Sequence, residues 1–171
     1  MEFDNQIDTI QERMKRPVFL TVLCILTFVS TGYGILSGIL IGISGKPSAE
    51  FIQEQQVKTA IMADEFRSTG FLYFADVMDK LGRMQTQVFE NNSLHATITV
   101  IVSIVGLFGA WLMFKGRKLG FHFYIMYSIA SVAAIYLIAS AVNISSFYVI
   151  VNLVFAGIFV FMYSRNLKWM K

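Results

Sequence analysis

The sequence predicts an all-α, polytopic membrane protein with four transmembrane helices and an extracytoplasmic helical insertion between helices 1 and 2. Three observations carry this reading. Residues 18–43, 96–114, 121–142 and 147–163 contain no Asp, Glu, Lys or Arg, and a hydrocarbon core roughly 30 Å thick takes about 20 helical residues to cross. Hydrophobic residues make up 56% of the chain and mean hydropathy is +0.61, whereas soluble domains run at about 45–50% apolar. The charged residues, 15% of the total, collect in the joints between the apolar stretches. At 171 residues the chain is one compact unit, four helices and whatever covers them.

Residues 1–17 read as a cytoplasmic amphipathic helix ending near Pro17. Phe3, Ile7, Ile10 and Met14 form one helical stripe. Glu2, Asp4, Asp8 and Glu12 suit docking on protein better than a membrane-surface helix, which favours Lys and Arg on its polar face.

Span one, 18–43, holds the only cysteine, Cys24, so no disulfide or cysteine metal cluster can be built within the chain. Leu23 is too bulky for a lipoprotein cleavage site, and the apolar run continues past Cys24, which marks a permanent anchor rather than a signal peptide. Ser30, Gly34, Gly38 and Gly42 place a small residue at every fourth position. Such a face lets helix backbones approach closely in lipid. Packing inside the monomer is favoured over a homodimer face, with Ser103, Gly106, Ala110, Ala130 and Ala134 as matching small surfaces.

The insertion, 44–95, is predicted to be helical and extracytoplasmic. Pro47 and Ser48 start a helix with Glu50 in its first turn. Phe51, Val57, Ile61 and Phe66 roughly mark one face, and Ser68, Thr69 and Gly70 form a break. Phe74, Val77, Leu81, Met84 and Val88 then follow a heptad-like seam. That seam is either a surface for a partner or folds back on the preceding helix as a self-contained hairpin. Asn91, Asn92 and Ser93 either cap span two or are crossed by a continuous helix.

Spans two to four carry little chemistry. His95 and His122 fall at opposite membrane boundaries and cannot share a metal, which needs three or four converging ligands. Ion-coupled transport normally needs ionisable groups inside the spans, and the polar groups here are hydroxyls, such as Thr21 and Thr27, and one amide. Tyr127, Ser131, Tyr136 and Asn152 are the candidate polar intramembrane site, Asn152 above all, since an amide in hydrocarbon must find a partner. The outer acids Asp64, Glu65, Asp76 and Asp79 lack calcium-loop spacing and read as a solvated face. The glycosylation patterns at Asn91 and Asn143 lie too close to the membrane for modification. No nucleophile–base pair, phosphate loop or paired catalytic carboxylates can be assembled, so no cofactor is expected.

Arg13, Lys15 and Arg16, then Lys115, Arg117 and Lys118, then Arg165, Lys168 and Lys171 fall on one side if all four stretches cross. The positive-inside rule makes that side cytoplasmic, with both termini inside and 164–171 a basic cytoplasmic tail. Arg16, Lys115, Arg117, Lys118, Arg165 and Lys168 would meet lipid headgroups, and Trp111, Phe114, Phe121, Tyr163 and Trp169 fit an aromatic belt. This placement turns the net charge of +3 toward lipid and away from nucleic acid.

The runs Arg16-Pro17-Val18-Phe19-Leu20-Thr21-Val22-Leu23-Cys24-Ile25-Leu26-Thr27-Phe28 and Met113-Phe114-Lys115-Gly116-Arg117-Lys118-Leu119-Gly120-Phe121, with the ending Tyr163-Ser164-Arg165-Asn166-Leu167-Lys168-Trp169-Met170, resemble small uncharacterised four-helix inner-membrane proteins of Bacteroidetes. The resemblance covers the membrane portions. It implies a bacterial inner membrane and four spans, and brings no activity or functional residue. The leading expectation is a non-enzymatic accessory or structural subunit. It would associate with other membrane proteins, or with a second copy, through the glycine-lined first span and the outer helices. The alternative is a small transporter or channel for an uncharged or small solute. A lipid-modifying enzyme using His122, Arg117 and Lys118 ranks last, because acid–base work needs positioned partners.

Overall fold

A computed structural model describes residues 17–171. The N-terminal helix expected over 1–17, and Arg16 with it, fall outside the described residues, of which Pro17 is the first. The regular structure is helical: α1 (Val18–Ser44), α2 (Ala49–Ser68), α3 (Leu72–Glu90), α4 (Asn92–Phe114), α5 (Leu119–Ile138), a 3-10 turn at Ala141–Asn143, and α6 (Ser146–Ser164). Among the described residues four helices, α1, α4, α5 and α6, are long and apolar enough to cross a membrane. They have 27, 23, 20 and 19 residues, or about 28 to 40 Å at the helical rise. This is the architecture of a multi-pass membrane protein.

Glycines set the packing. A Cβ on Gly34 would strike the Ser103 hydroxyl, and one on Gly38 would lie 3.1 Å from the Ala96 carbonyl oxygen. The face of α1 expected to drive helix association is therefore filled by α4 of the same chain. Gly109 and Gly120 bring α4 and α5 equally close, and Gly106 takes the Tyr127 ring and the Thr31 methyl. Residue numbers rise along one helix as they fall along its neighbour, so the contacts are antiparallel. Lipid tails are as apolar as leucine, so close backbone approach is what holds such helices together. By contrast, Tyr163 is the one buried residue of α6.

The bundle has two distinct ends. At the tail end Leu20, Leu23, Cys24, Met113, Tyr124, Tyr163 and Met170 form a buried cluster. The predicted basic tail is folded onto this end. Lys118 N–H donates to the Lys171 carbonyl at 2.9 Å, and Lys171 N–H donates to the Gly116 carbonyl at 2.7 Å. Gly116 takes φ +76° and lies under the Trp169 ring, and Met170 is buried. The two apolar side chains near the C-terminus thus turn a string of cations into a strap.

The other end carries α2 and α3 as an antiparallel hairpin. Ser48 caps α2 by accepting from Phe51 N–H at 3.2 Å, and Gly70, at φ +83°, makes the turn. The face expected from Phe51, Val57, Ile61 and Phe66 meets α3 only at its two ends, and Val57 and Ile61 between them are exposed. Small residues make the contact instead, with Thr59 over Gly82 and with Ala63 and Ala75 buried. Phe51–Phe89 and Phe66–Phe74 ring pairs close the two ends, both at 5.7 Å. Arg67 bridges Asp64 and Asp79 across the pair.

The seam of α3 faces the bundle. Met84 is buried with Ile135, Ala139 and Ile144, against Leu81, Val88, Tyr148 and Val149. Val77 is buried too, while Phe74 stays largely exposed. The chain's own helix ends occupy the surface expected for a partner, because α3 bends over them at Asn91. α5 consequently stops at Ile138, short of the span expected to reach 142. Ala139 turns extended, and Ser140 N–H donates to Gln87 Oε1 of α3 at 2.9 Å.

Asn92 neither caps its own helix nor sits in an unbroken one. Its amide donates to the carbonyls of Ile41 at 3.1 Å and Gly45 at 2.8 Å, closing the C-terminus of α1. Asn92→Leu removes both bonds to these part-buried acceptors and is expected to cost about 1 kcal/mol, read as a lower midpoint in detergent-induced unfolding. An unchanged midpoint would show that water replaces the amide.

Candidate polar cleft in the bundle

Because α6 is held mainly near its ends, the bundle opens along its length. A cleft of about 280 Å³ lies between α1, α5 and α6, lined by Leu26, Thr27, Ser30, Tyr124, Tyr127, Ser128, Ser131, Val132, Asn152, Phe155, Ala156 and Phe159. A second cleft, of about 170 Å³, lies between α4, α5 and α6 toward the hairpin end and includes His95, Thr99, Ser103, Ile138 and Tyr148. Tyr127 and Ser131 line both, so one turn of α5 separates two polar hollows that extend toward opposite ends.

Three of the four residues expected to make an intramembrane polar site meet here: Tyr127, Ser131 and Asn152. Tyr136 is exposed and lines neither cleft. Ser131 Oγ donates to the Ser128 carbonyl at 3.0 Å, and Asn152 Nδ2 donates to the Tyr148 carbonyl at 2.8 Å. The amide thus finds its partner in its own helix. Ser30, predicted as part of the packing face, lines the cleft instead. Tyr124 and Ser128 were not expected in the site, and His95, expected as a boundary histidine, lines the second cleft. The first two follow Gly120 at helical spacing, and that register was the available signal.

At the tail end the first cleft stops at Tyr163, whose hydroxyl shares a 2.7 Å hydrogen bond with Thr27 Oγ1. Its ring lies 4.6 Å from that of Tyr124. The site is uncharged. Among the described residues no three or more His, Cys, Asp or Glu side chains gather where they would hold a metal. Of the outer acids Asp64, Glu65, Asp76 and Asp79, three pair with bases: Asp64 and Asp79 with Arg67, and Asp76 with Lys80 at 3.0 Å. His122 sits at the tail end with Nδ1 3.3 Å from the Lys118 carbonyl oxygen. Lys115, Arg117, Lys118, Arg165 and Lys168 are all exposed at that end, and Lys115 rests over the Trp111 ring at 3.9 Å.

The glycine face, the seam and the clefts therefore divide the expected site residues between packing and a ligand-sized hollow. No protein-family model, curated protein or solved structure matches the chain.

Proposed function

We propose that this is a non-enzymatic protein of a bacterial inner membrane that gives a small, uncharged, hydrogen-bonding solute a place to bind and a path across. The observation that carries the reading is the pair of clefts meeting at Tyr127 and Ser131. Hydroxyls and an amide replace part of a solute's hydration without the charge that would hold an ion. Tyr163 and Thr27 would close the path at the cytoplasmic side. The cations at the tail end support an orientation with both termini inside and the α2–α3 hairpin outside. Kinship with the small four-helix inner-membrane proteins of Bacteroidetes belongs to the same reading.

Reconstituted vesicles test this by osmotic shrinkage and reswelling with urea, glycerol and acetamide. Permeation is expected to exceed that of protein-free vesicles and to fall roughly fivefold in Asn152→Leu, the equivalent of one hydrogen bond of ~1 kcal/mol. Rates equal to those of protein-free vesicles for all three solutes would reject the proposal.

A second reading, an accessory subunit bound to other membrane proteins, is favoured by one feature. α6 exposes Ile150, Leu153, Val154, Ile158 and Phe161 along its length, an apolar face open to a neighbouring helix. Cross-linking in mild detergent separates the two, since this reading requires a co-purifying chain or a second copy joined through α6.

A further inference from the structure

The turn of the α2–α3 hairpin presents four consecutive apolar side chains: Phe71 is 58%, Leu72 69%, Tyr73 58% and Phe74 41% exposed. In water this would be a costly patch, and such patches mark interaction sites. Its position decides which kind. From Asn91 back to Phe74, α3 is about 26 Å long at 1.5 Å per residue. Continued along the axis of α4, it would carry Phe74 that far beyond the bundle. Instead the Phe74 ring lies 6.5 Å from that of Phe147, the second residue of α6, and Met84 packs on Ile135 and Ile144. Thus α3 lies across the ends of α5 and α6. The turn emerges beside the first turn of α6, at the level where an apolar span begins.

We propose that residues 71–74 are seated in the interfacial layer of the leaflet at the hairpin end, making the hairpin a lipid-anchored platform over the bundle. Aromatic side chains favour that layer. Residues 68–75 contain no charge. Of the flanking charges, Asp76 pairs with Lys80 and Arg67 with both Asp64 and Asp79.

The turn also satisfies its own polar groups. Phe71 N–H donates to the Phe66 carbonyl at 2.9 Å, Leu72 N–H to the Gly70 carbonyl at 3.0 Å, and Gly70 N–H to the Arg67 carbonyl at 3.1 Å. The hydroxyls of Ser68 and Thr69 both donate to the Glu65 carbonyl, at 2.8 and 3.1 Å. Backbone placed where water is scarce needs this internal pairing. The inference rests on the four spans crossing a bilayer and not on the solute path.

Leu72→Cys in the full chain, labelled with an environment-sensitive fluorophore and reconstituted in vesicles, tests it. Cys24 is retained because it is buried, and wild-type protein controls for its labelling. The expected result is a blue-shifted emission relative to the same label at the exposed Gln53→Cys on α2. Strong quenching by lipids nitroxide-labelled near the headgroup and weak quenching by aqueous iodide should accompany it. Iodide quenching equal to that of the Gln53→Cys label, with no response to nitroxide lipid, would overturn the proposal in favour of a tip in water. Shielding that fades as protein is diluted into lipid would overturn it in favour of a second copy. Tyr73→Cys, exposed in the same turn, repeats the measurement should Leu72→Cys fail to fold.

Discussion

Replacing Gly120 with alanine is expected to be among the most damaging single changes in the chain, at ~3 kcal/mol or more of lost stability. The added Cβ would lie 2.5 Å from the Met113 nitrogen and 2.6 Å from the Gly109 carbonyl oxygen. Both are backbone atoms in a neighbouring helix, so no rotamer change relieves the clash and α4 and α5 must separate. The same separation would loosen the strap, since the α4–α5 turn holds Lys171 through Gly116 and Lys118. A graded series checks the reasoning. Gly38→Ala meets a valine methyl at 2.7 Å and a carbonyl at 3.1 Å and should cost less. Gly42→Ala meets only the Ala96 methyl at 3.7 Å and should be near neutral. Gly157→Ala meets nothing within 4 Å and should gain ~0.5 kcal/mol from reduced chain entropy. Maleimide labelling of buried Cys24 during heating reports each midpoint. Equal losses at Gly42 and Gly120 would show that close backbone approach is not what holds the bundle.

The series also separates what could be read from the sequence from what could not. Absence of charge over span-length runs made the four long apolar helices legible, because in lipid a helix satisfies its own backbone and apolar side chains tolerate the tails. The small-residue face of α1 was legible for the same reason, as was the break at Ser68, Thr69 and Gly70. The joints were harder. A seam such as Phe74, Val77, Leu81, Met84 and Val88 announces that something covers it but not what. Only the bend at Asn91 turns it onto the helix ends. The hairpin interface was not legible because its contacts are small, Thr59, Ala63, Ala75 and Gly82, while the larger Val57 and Ile61 are exposed. The strap was hidden among the cations of residues 164–171, since Trp169 reads as a belt residue until Gly116 is placed beneath the indole. Within the site, Tyr127, Ser131 and Asn152 stood out as polar groups in apolar runs. Their convergence depended on α6 standing off the bundle, and no local pattern encodes that distance.

Tyr163→Ala tests whether that stand-off is controlled from the tail end. Tyr163 is fully buried, and it is the residue of α6 that enters the cluster of Leu20, Leu23, Cys24, Met113, Tyr124 and Met170. Truncation removes the ring and leaves a cavity that helices pinned at Gly109 and Gly120 cannot close. A cost of about 3–5 kcal/mol is expected where an aromatic is removed from a packed core. Burial against lipid supplies little transfer energy, so the lower end applies. Two consequences follow at once. Cys24, in the same cluster, should become reactive toward maleimide at temperatures where the wild type is protected. The closure of the first cleft should also be lost, so solute permeation should rise while that of Asn152→Leu falls. Tyr163→Phe keeps the ring and removes only the hydroxyl that meets Thr27 at 2.7 Å, which in a membrane is worth about 0.6 kcal/mol and at most about 1.7. Combining it with Thr27→Val should add little beyond either change alone. Should Tyr163→Ala leave both Cys24 protection and permeation unchanged, the tail-end cluster would be neither the clamp on α6 nor the closure of the cleft.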